Sequence, residues 1–342
     1  MFFGPKKYDF IAIGDTVTDA FIRLKDAAVN CDINREHCKI CMRFADKIPY
    51  ESVTVVPAVG NSANAAVSAA RLGLQSALVS NIGDDYFGKE CLGALTKEGV
   101  ETGFIKVHKG QKTNYHYVLW YEDDRTILIK HEEFSYALPE INTPKWVYFS
   151  SLGGNSLPFH KTVEEYLMKH PEIKLAFQPG TFQMKIGRAA LAGIYKRSEV
   201  FICNKEEAQR ILETNEDDIK KLLIMMHDLG PKIVVITDGT KGAYAYDPSA
   251  SSGQNSQGEF CFMPPYPDPK PPYERTGAGD AFSSTFVAAL ALGKSVEDAL
   301  RWAPINSMSV VQYVGAREGL LKRKQLEAYL DKAPKDYIPR QI

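Results

Sequence analysis

Short apolar runs alternate with stretches of helical periodicity along most of this chain. The apolar runs predict buried strands at residues 8–14, 76–82, 146–151, 173–178, 200–203 and 232–237. The helical spacing predicts helices at residues 61–72, 89–98, 160–169, 187–194, 205–228 and 282–292. Because strands that alternate with helices in this way form crossover units, we predict an α/β fold with a mainly parallel central sheet covered on both faces.

Two parts of the first half of the chain do not follow this pattern. Residues 115–121 and 125–130 alternate between apolar and polar positions around an acidic turn, which predicts a β-hairpin. Residues 16–57 show no regular periodicity, so we expect them to be irregular. Since the hairpin does not suit a crossover unit, we expect a small β flap attached to the main sheet.

The composition excludes several classes of protein. The 342 residues are 44% hydrophobic and 24% charged, which is typical of a globular protein and excludes wholesale disorder. Lys and Arg number 41 and Asp and Glu number 42, so the net charge of −1 argues against a nucleic-acid partner. No apolar run reaches the roughly 18 residues of a membrane helix, and residues 1–7 lack a secretory signal pattern. We therefore expect a cytoplasmic protein without a membrane partner.

Six cysteines in a chain of this length are too few for a disulfide scaffold. Cys31, Cys38 and Cys41 lie close together, and the last two form a Cys-x-x-Cys pair. A structural zinc site would need a second pair of ligands, and the sequence contains no second Cys-x-x-Cys. The pattern favours reduced thiols on a partly exposed flap over a zinc site, without excluding zinc.

Small residues lead into an apolar helix in the last third of the chain. The backbone N–H groups of Gly277, Ala278 and Gly279 lie at the predicted helix start, where the helix dipole is positive. Without bulky side chains, the backbone can approach an anion closely, so the pattern predicts a phosphate site. Asp280, in the first helical turn, either favours the helix start or acts as a general base beside the phosphate.

This loop differs from two other motifs that bind phosphate groups. It lacks the Gly-Lys-Ser/Thr sequence of a Walker A loop. The turn after the first predicted strand, at Gly14, also lacks the further glycines of a dinucleotide fingerprint. A nicotinamide-dependent oxidoreductase is therefore disfavoured, although the α/β pattern alone would suit one.

Two motifs resemble the signatures of the ribokinase (pfkB-type) family of carbohydrate kinases. The first comprises residues 60–66 (GNSANAA), 71–73 (RLG) and 83–88 (GDDYFG), and the second is residues 276–280 (TGAGD). They lie in the order and at the spacing that the family shows, and the resemblance extends from about Asp9 to Gly319.

The resemblance implies an architecture. It implies a ribokinase-like three-layer sandwich formed as a single domain over residues 1–342, with a small β-sheet lid. The lid would come from segments near residues 16–58 and 103–133, inserted in the α/β body. Lids of this family often pair between subunits, which implies a homodimer.

The resemblance also implies roles for individual residues. Asp280 would accept the proton of the acceptor hydroxyl, and the amides of Gly277, Ala278 and Gly279 would stabilise charge on the transferring phosphoryl group. The substrate would contact Asp19, Gly60, Asn61 and Asn64, and the nucleotide would contact Asn204, Thr237, Gly239, Gly242 and Asn306. Glu207 would hold Mg²⁺, largely through water.

The residue types allow simpler explanations for several of these positions. Asp19 would also suit a solvated turn, and Asn64 would suit the first turn of a helix. Asn204 with Glu207 has the spacing of a capping box. Residues 237–242 would also form an ordinary hairpin turn, and Asn306 would suit a helix surface.

The sequence departs from the family pattern at two places. Val59 stands where most members have the first glycine of a Gly-Gly pair, which affects how closely the backbone approaches the sugar. Glu274 and Arg275 replace an Asp-Thr pair that contributes to a monovalent cation site in many relatives, so a role for K⁺ is in doubt. Arg275 could supply a fixed positive charge instead of K⁺.

The leading hypothesis is a kinase that uses ATP and Mg²⁺ to phosphorylate a hydroxymethyl group of a small-molecule sugar or nucleoside. The alternatives are a dedicated nucleoside (adenosine-like) kinase, or a non-catalytic sugar-binding regulator on the same fold. A regulator would have no use for the base at Asp280, which favours the enzyme.

Overall fold

A central sheet of ten strands runs through this computed structural model, which describes residues 7–31, 38–122, 124–249 and 259–342. From one edge to the other, its strands are β16 (Arg340–Gln341), β15 (Glu259–Met263), β14 (Ala243–Asp247), β13 (Ile233–Thr237), β12 (Val200–Asn204), β11 (Lys174–Phe177), β10 (Trp146–Phe149), β1 (Phe10–Ile13), β6 (Ser76–Gly83) and β7 (Ile105–His108). The strands from β13 to β7 pair in parallel, and β14, β15 and β16 are antiparallel additions. The prediction of a mainly parallel sheet is confirmed.

Helices cover both faces of this sheet. They are α1 (Asn61–Arg71), α2 (Tyr86–Lys97), α3 (Leu157–Lys169), α4 (Thr181–Ile186), α5 (Ala192–Arg197), α6 (Lys205–Leu212), α7 (Ile219–His227), α8 (Ala278–Ala291), α9 (Val296–Val310) and α10 (Arg323–Asp331). Phe10 and Ala12 of β1 join one hydrophobic core with α1, α8 and α9, whereas Ile11 and Ile13 join a second core with α3. Successive side chains of a strand point to opposite faces, so this division produces three layers.

The helix predicted over residues 187–194 is wrong. In the structure α4 ends before this range and α5 begins only at Ala192, and Gly187, directly after α4, has a φ of 89°. A positive φ ends a helix, and glycine adopts it without the steric cost of a Cβ atom. The helix predicted to start at residue 282 begins earlier, at Ala278, so Asp280 lies within its first turn.

A second sheet forms the lid, defined here as β5 (Tyr50–Val59), β2 (Val17–Leu24), β8 (Tyr115–Tyr121) and β9 (Asp124–Leu128) in that order. The predicted hairpin is confirmed, because β8 and β9 pair antiparallel. The expectation that residues 16–57 are irregular is wrong. Six of the ten residues of β5 are exposed, so buried and exposed positions do not alternate along it as they do in a half-buried strand. Pairing with β2 holds β5 in place. Ile105–His108 pairs with β6 in the main sheet, so the lid does not include the whole of segment 103–133.

A two-stranded hairpin extends from the lid and corrects the assignment of its cysteines. It is formed by β3 (Ala28–Asn30) and β4 (Lys39–Cys41). Cys31 and Cys38 are joined in a disulfide, whereas reduced thiols were expected, and Cys41 is a free thiol. Sequence spacing misses this pairing because a hairpin places the residues that flank its loop opposite each other, whatever the loop length. Among the described residues, no helix combines the length and apolar character needed to cross a membrane.

Asp85 joins the body to the chain that enters the lid. Its Oδ1 accepts hydrogen bonds from the amide of Gly88 (2.9 Å) and the hydroxyl of Thr113 (2.6 Å), and its Oδ2 accepts one from the amide of Thr113 (3.1 Å). The hydroxyl of Thr113 in turn accepts from the amide of Gly83 (3.1 Å). Burial opposes ionisation of Asp85, but the hydrogen bonds from Thr113 and Gly88 outweigh it and lower the pKa of this carboxyl.

Replacement of Asp85 by alanine is expected to lower the free energy of unfolding at pH 7 by about 1–3 kcal/mol, because it removes a helix cap and leaves Thr113 without its acceptor. The folded-state pKa lies below the unfolded value, so the stabilisation is present above the unfolded pKa and is lost as the pH falls through the folded pKa. Urea unfolding of the wild type and Asp85→Ala between pH 7 and pH 2 measures this difference. A difference that does not shrink towards low pH, or one no larger than that of the exposed control Asp331→Ala, would contradict the assignment.

Candidate active site

The candidate active site lies where the parallel strands of the body end. Asp15 follows β1, Gln178 follows β11, Asn204 is the last residue of β12 and Thr237 is the last residue of β13. Because parallel strands end at the same edge of a sheet, these four side chains share one rim, and ligands of open α/β sheets bind at this edge. Asp19, in strand β2 of the lid sheet, has an electrostatic effect on Asp280, so the lid reaches the same place.

Asp280 is held by three neutral amides. Its Oδ1 accepts hydrogen bonds from Asn61 (3.0 Å) and Gln178 (3.2 Å), and its Oδ2 accepts one from Asn64 (2.9 Å). Burial raises the pKa of Asp280 above its usual value, although the hydrogen bonds from Asn64 and Gln178 counteract part of this effect. The carboxylate therefore keeps more basicity than an exposed aspartate while its orientation is fixed.

Gln178 was not identified from the sequence. Its Oε1 accepts a hydrogen bond from the hydroxyl of Tyr148, which is fully buried, and its Nε2 donates to Asp280. A polar residue directly after the predicted strand 173–178 is the one feature that could have pointed to it, because such residues face the rim of a parallel sheet. The site therefore also includes Tyr148, whose hydroxyl orients Gln178 towards Asp280.

The loop before α8 presents unpaired backbone groups. Gly277 precedes the helix with a φ of 83°, and a Cβ atom there would lie 2.2 Å from the Cβ atom of Ala316, so only glycine fits. In the part of the chain that the structure describes, the amides of Gly277, Ala278 and Gly279 donate no backbone hydrogen bond. They lie at the positive end of a helix of 14 residues, which is a site that favours an anion.

Asn204 and Glu207 form the capping box that their spacing predicts. Asn204 Oδ1 accepts from the amide of Glu207 (2.8 Å), and Glu207 Oε2 accepts from the amide of Asn204 (2.9 Å). Burial raises the pKa of Glu207, and the negative charge of Asp280 adds to this effect. A carboxylate whose ionised form is disfavoured by burial would be stabilised by a nearby cation, so Glu207 suits a magnesium ligand.

A groove of about 300 Å³ runs beside the start of α8. Thr237, Gly239 and Gly242 line it, and so do Ala278 and Gly279 from the unpaired loop. Its apolar lining includes Phe282, Pro304, Met308 and Val311. Residues 237–242 also form the predicted turn, because β13 and β14 pair antiparallel across a 3₁₀ turn at Gly239–Lys241. The groove thus combines an apolar wall with the unpaired N–H groups of Ala278 and Gly279, which favour an anion.

Asn306 does not belong to this groove, and both expectations for it were wrong. It is fully buried in α9, where its Nδ2 donates to the hydroxyl of Thr285 (2.8 Å) and its Oδ1 accepts from the amide of Leu321 (2.8 Å). Both ends of its side chain are therefore occupied by the protein. A helical pattern cannot distinguish such a residue from a surface asparagine, because the polar groups that it pairs with lie on other elements.

Glu274 and Arg275 have different surroundings. Glu274 is 1% exposed, accepts hydrogen bonds from Thr276 and from the amide of Gly315, and lies 3.7 Å from the guanidinium Nε of Arg125 in the lid. Arg275 is exposed and lines the groove. The fixed positive charge beside Glu274 is therefore Arg125, and the hypothesis that Arg275 supplies a positive charge in place of K⁺ stays a prediction.

Gly60, Asn61 and Asp19 are brought close to this site. Gly60, with a φ of 104°, precedes α1, whose first residue is Asn61. Asp19 is 8% exposed and lies opposite His116 in the register of β2 and β8, with His116 Nδ1 3.4 Å from Asp19 Oδ1. A solvated turn is excluded for Asp19 because it lies in a buried strand.

Comparison with known proteins agrees with this geometry. The chain is 30% identical to a ribokinase of Bacillus subtilis over 280 residues, which cover 79% of this chain and 87% of the relative. It is 25% identical to an ATP-dependent 6-phosphofructokinase of Thermoanaerobacterium thermosaccharolyticum over 333 residues, which cover 92% of this chain and 91% of the relative.

Two further findings concern the fold and the family. The structure of Arabidopsis thaliana ribokinase complexed with ribose and ATP superposes with a TM-score of 0.74 at 20% identity, covering 95% of this chain and 99% of that one, which confirms the ribokinase fold. The family model described as pfkB family carbohydrate kinase matches residues 28–323. The chain therefore belongs to the pfkB family of carbohydrate kinases.

Proposed function

We propose that this kinase transfers the γ-phosphoryl group of ATP to a hydroxymethyl group of a sugar or nucleoside. The observation that carries the proposal is the position of Asp280, a carboxylate of raised pKa held by three amides in the same helical turn that offers unpaired N–H groups. A base beside an anion site is what phosphoryl transfer to an alcohol requires, since the hydroxyl loses a proton while the phosphoryl oxygens carry charge.

In this reaction, Asp280 takes the proton of the acceptor hydroxyl as the hydroxyl oxygen forms its bond to the γ-phosphorus. The bond from the γ-phosphorus to the bridging oxygen breaks, and ADP leaves with that oxygen. The amides of Gly277, Ala278 and Gly279 donate hydrogen bonds to the transferring group, and removal of one such donor costs about 2.7–4 kcal/mol in comparable sites. The apolar wall of the groove suits the nucleobase, with Thr237, Gly239 and Gly242 beside the ribose and phosphates.

Mg²⁺ is part of the proposal through Glu207 and the capping box that it forms with Asn204. Among the described residues, no group of three or more His, Cys, Asp or Glu side chains could hold a metal ion by itself. Mg²⁺ bound to a nucleotide keeps several waters and needs only one or two carboxylates, which Glu207 can provide. K⁺ has no role in the proposal, because Glu274 already faces the positive charge of Arg125.

We also propose that two copies pair through the outer face of the lid. Val53, Val55, Tyr117 and Leu128 are each about half exposed. The strand register places Val55, Tyr117 and Leu128 in one row across the sheet, with Ala20 between the first two, so the apolar side chains form a continuous patch. A second copy would cover the same patch on its partner in an isologous interface.

Replacement of Asp280 by asparagine is expected to lower kcat by about 10²–10⁴-fold, because the base is lost while the side chain keeps its size and shape. The matched control is Asp298→Asn, which alters an aspartate at the same position of the first turn of α9. ADP release measured with a panel of sugars and nucleosides tests both variants, and calorimetry tests ATP binding. If Asp280 only favours the helix start, the two variants will lose equally little activity, and the proposed base will be wrong.

The pH profile of the enzyme is expected to reflect the raised pKa of Asp280. The base must be ionised, so kcat should fall as the pH drops through a pKa above the ordinary aspartate value of 3.8. The hydrogen bond from Asn64 lowers this pKa, so Asn64→Ala should move the acidic limb to higher pH. Rates at saturating acceptor between pH 4 and pH 8 measure the limb. If kcat of Asn64→Ala falls at the same pH as that of the wild type, or at a lower pH, Asp280 is not the titrating base.

Replacement of Asn306 by alanine is expected to destabilise the protein without affecting ATP binding. Loss of the contact with Leu321 leaves its buried amide without an acceptor, which costs about 1–3 kcal/mol, and the Thr285 hydroxyl keeps only Ser68 as a partner. Thr237→Val, in the wall of the groove, is the contrasting variant and should raise the KM for ATP at nearly unchanged stability. Urea unfolding and ATP titration separate the two effects. A raised KM for ATP in Asn306→Ala at wild-type stability would restore its assignment to the nucleotide site.

A further inference from the structure

Four buried polar atoms around the acceptor end of the site have no hydrogen-bond partner among the described residues. They are Asp15 Oδ1, Asp19 Oδ1, Asn64 Oδ1 and His116 Nε2. Burial of such an atom without a partner is costly, and native proteins rarely leave one unsatisfied. A concentration of them beside the proposed base indicates groups that a ligand satisfies.

Contacts connect three of these residues with His131 into one group of side chains, here called the acceptor cluster: Asp15, Asp19, His116 and His131. His131 Nδ1 lies 3.3 Å from Asp15 Oδ2, and the ring centroids of His131 and His116 are 5.2 Å apart. His116 lies 3.4 Å from Asp19, without the geometry of a hydrogen bond. The cluster therefore extends from Asp15, after β1, through the two histidines to Asp19 in the lid, whose charge affects Asp280.

His131 and Asp15 are held firmly in this cluster. Phe182, at the start of α4, packs edge to face against His131, with the two ring centroids 5.2 Å apart. Asp15 Oδ2 accepts hydrogen bonds from the hydroxyl of Tyr136 (2.8 Å) and the amide of Gly153 (2.9 Å). These donors fix one oxygen of Asp15 and leave the other, Oδ1, without a partner. Rigid side chains of this kind select a ligand by geometry, because they cannot turn away from an unsuitable one.

The chemistry of the unpartnered atoms indicates the ligand. Three of the four are carboxylate or amide oxygens, which only accept hydrogen bonds, so the ligand must donate. Hydroxyl groups donate, whereas a phosphate or carboxylate of the ligand would offer further acceptor oxygens. Two carboxylates in the cluster, with a third at Asp280, would also repel an anionic group.

We propose that the acceptor is an uncharged polyhydroxyl molecule, and that Asp15 and His131 determine this specificity together with Asp19. The inference rests on the proposed function, since it concerns the acceptor of the same phosphoryl transfer. Sugar phosphates and sugar acids are excluded as preferred acceptors. Asp15 and His131 bind hydroxyls that do not react, and they take no part in the proton transfer at Asp280.

The first test compares acceptors with the wild-type enzyme. ADP release is measured with D-ribose, D-fructose and cytidine as uncharged acceptors, and with fructose 6-phosphate and 5-dehydro-2-deoxygluconate as anionic ones. Calorimetry with the same five compounds gives a readout that needs no catalysis. We expect kcat/KM for the best uncharged acceptor to exceed that of either anion by at least about 100-fold, which corresponds to about 2.7 kcal/mol.

The possible failures differ. A higher kcat/KM for fructose 6-phosphate or the sugar acid would overturn this inference and leave the kinase proposal intact. If no compound releases ADP and none binds, the proposed function itself is overturned. Asp280→Asn serves as the reference for background ADP release in all arms.

The second test separates specificity from folding. His131→Ala should raise the KM for the uncharged acceptor about tenfold, with the KM for ATP and the thermal unfolding temperature unchanged. His131→Asn, which keeps an N–H donor for Asp15, should recover part of this loss. The matched control is His170→Ala, a partly exposed histidine whose Nδ1 lies 3.2 Å from Glu172 Oε1. An acceptor KM within twofold of wild type in His131→Ala, or an equal rise in the KM for ATP, would overturn the assignment.

Discussion

The carboxylate of Asp280 lies against three neutral amides, and the rest of the site depends on that contact. The amides come from two elements, since Asn61 and Asn64 belong to α1 and Gln178 follows β11. Asn61 and Asn64 reach Asp280 because α1 packs against α8 in a core that includes small residues of α1 such as Ala63 and Ala66. Gln178 reaches Asp280 from the rim of the main sheet. The orientation of the proposed base and the position of the proposed anion site therefore depend on the contact between α1 and α8 and on the end of β11.

The lid is joined to the body by two contacts, one at Asp85 and one at Glu274. Thr113 connects the chain entering β8 with Asp85, the cap of α2, so the base of the lid is fixed to the body. Arg125 in β9 faces Glu274, whose carboxylate also holds the amide and hydroxyl of Thr276 just before the anion site. Movement of the lid away from the body would leave the buried carboxylate of Glu274 without its cation, which is costly. The position of the lid and the loop proposed to bind phosphate are thus physically linked.

Much of the fold could be predicted from the sequence, because the strands of the body are buried on both faces and form continuous apolar runs. The loop of small residues that leads into α8 and the capping box at Asn204 could also be predicted, since both depend on neighbours in sequence. The strand β5, the disulfide between Cys31 and Cys38 and the burial of Asn306 could not. Each of them depends on a partner distant in sequence or on pairing across a loop, which no local pattern contains. Gln178 and His131 were missed for the same reason.

The choice of amides around Asp280, rather than a cation, has a chemical consequence. A lysine or arginine in direct contact would lower the pKa of the carboxylate by one to three units and reduce its ability to accept a proton. It would also compete with the anion site for the phosphoryl oxygens. Amide donors orient the carboxylate and lower its pKa less than a cation would. Burial, in contrast, raises the pKa of Asp280. In the proposed reaction, the positive charge lies at the helix N-terminus, at Arg275 in the groove and at the metal that Glu207 would hold, beside the phosphoryl group and not in contact with the proposed base.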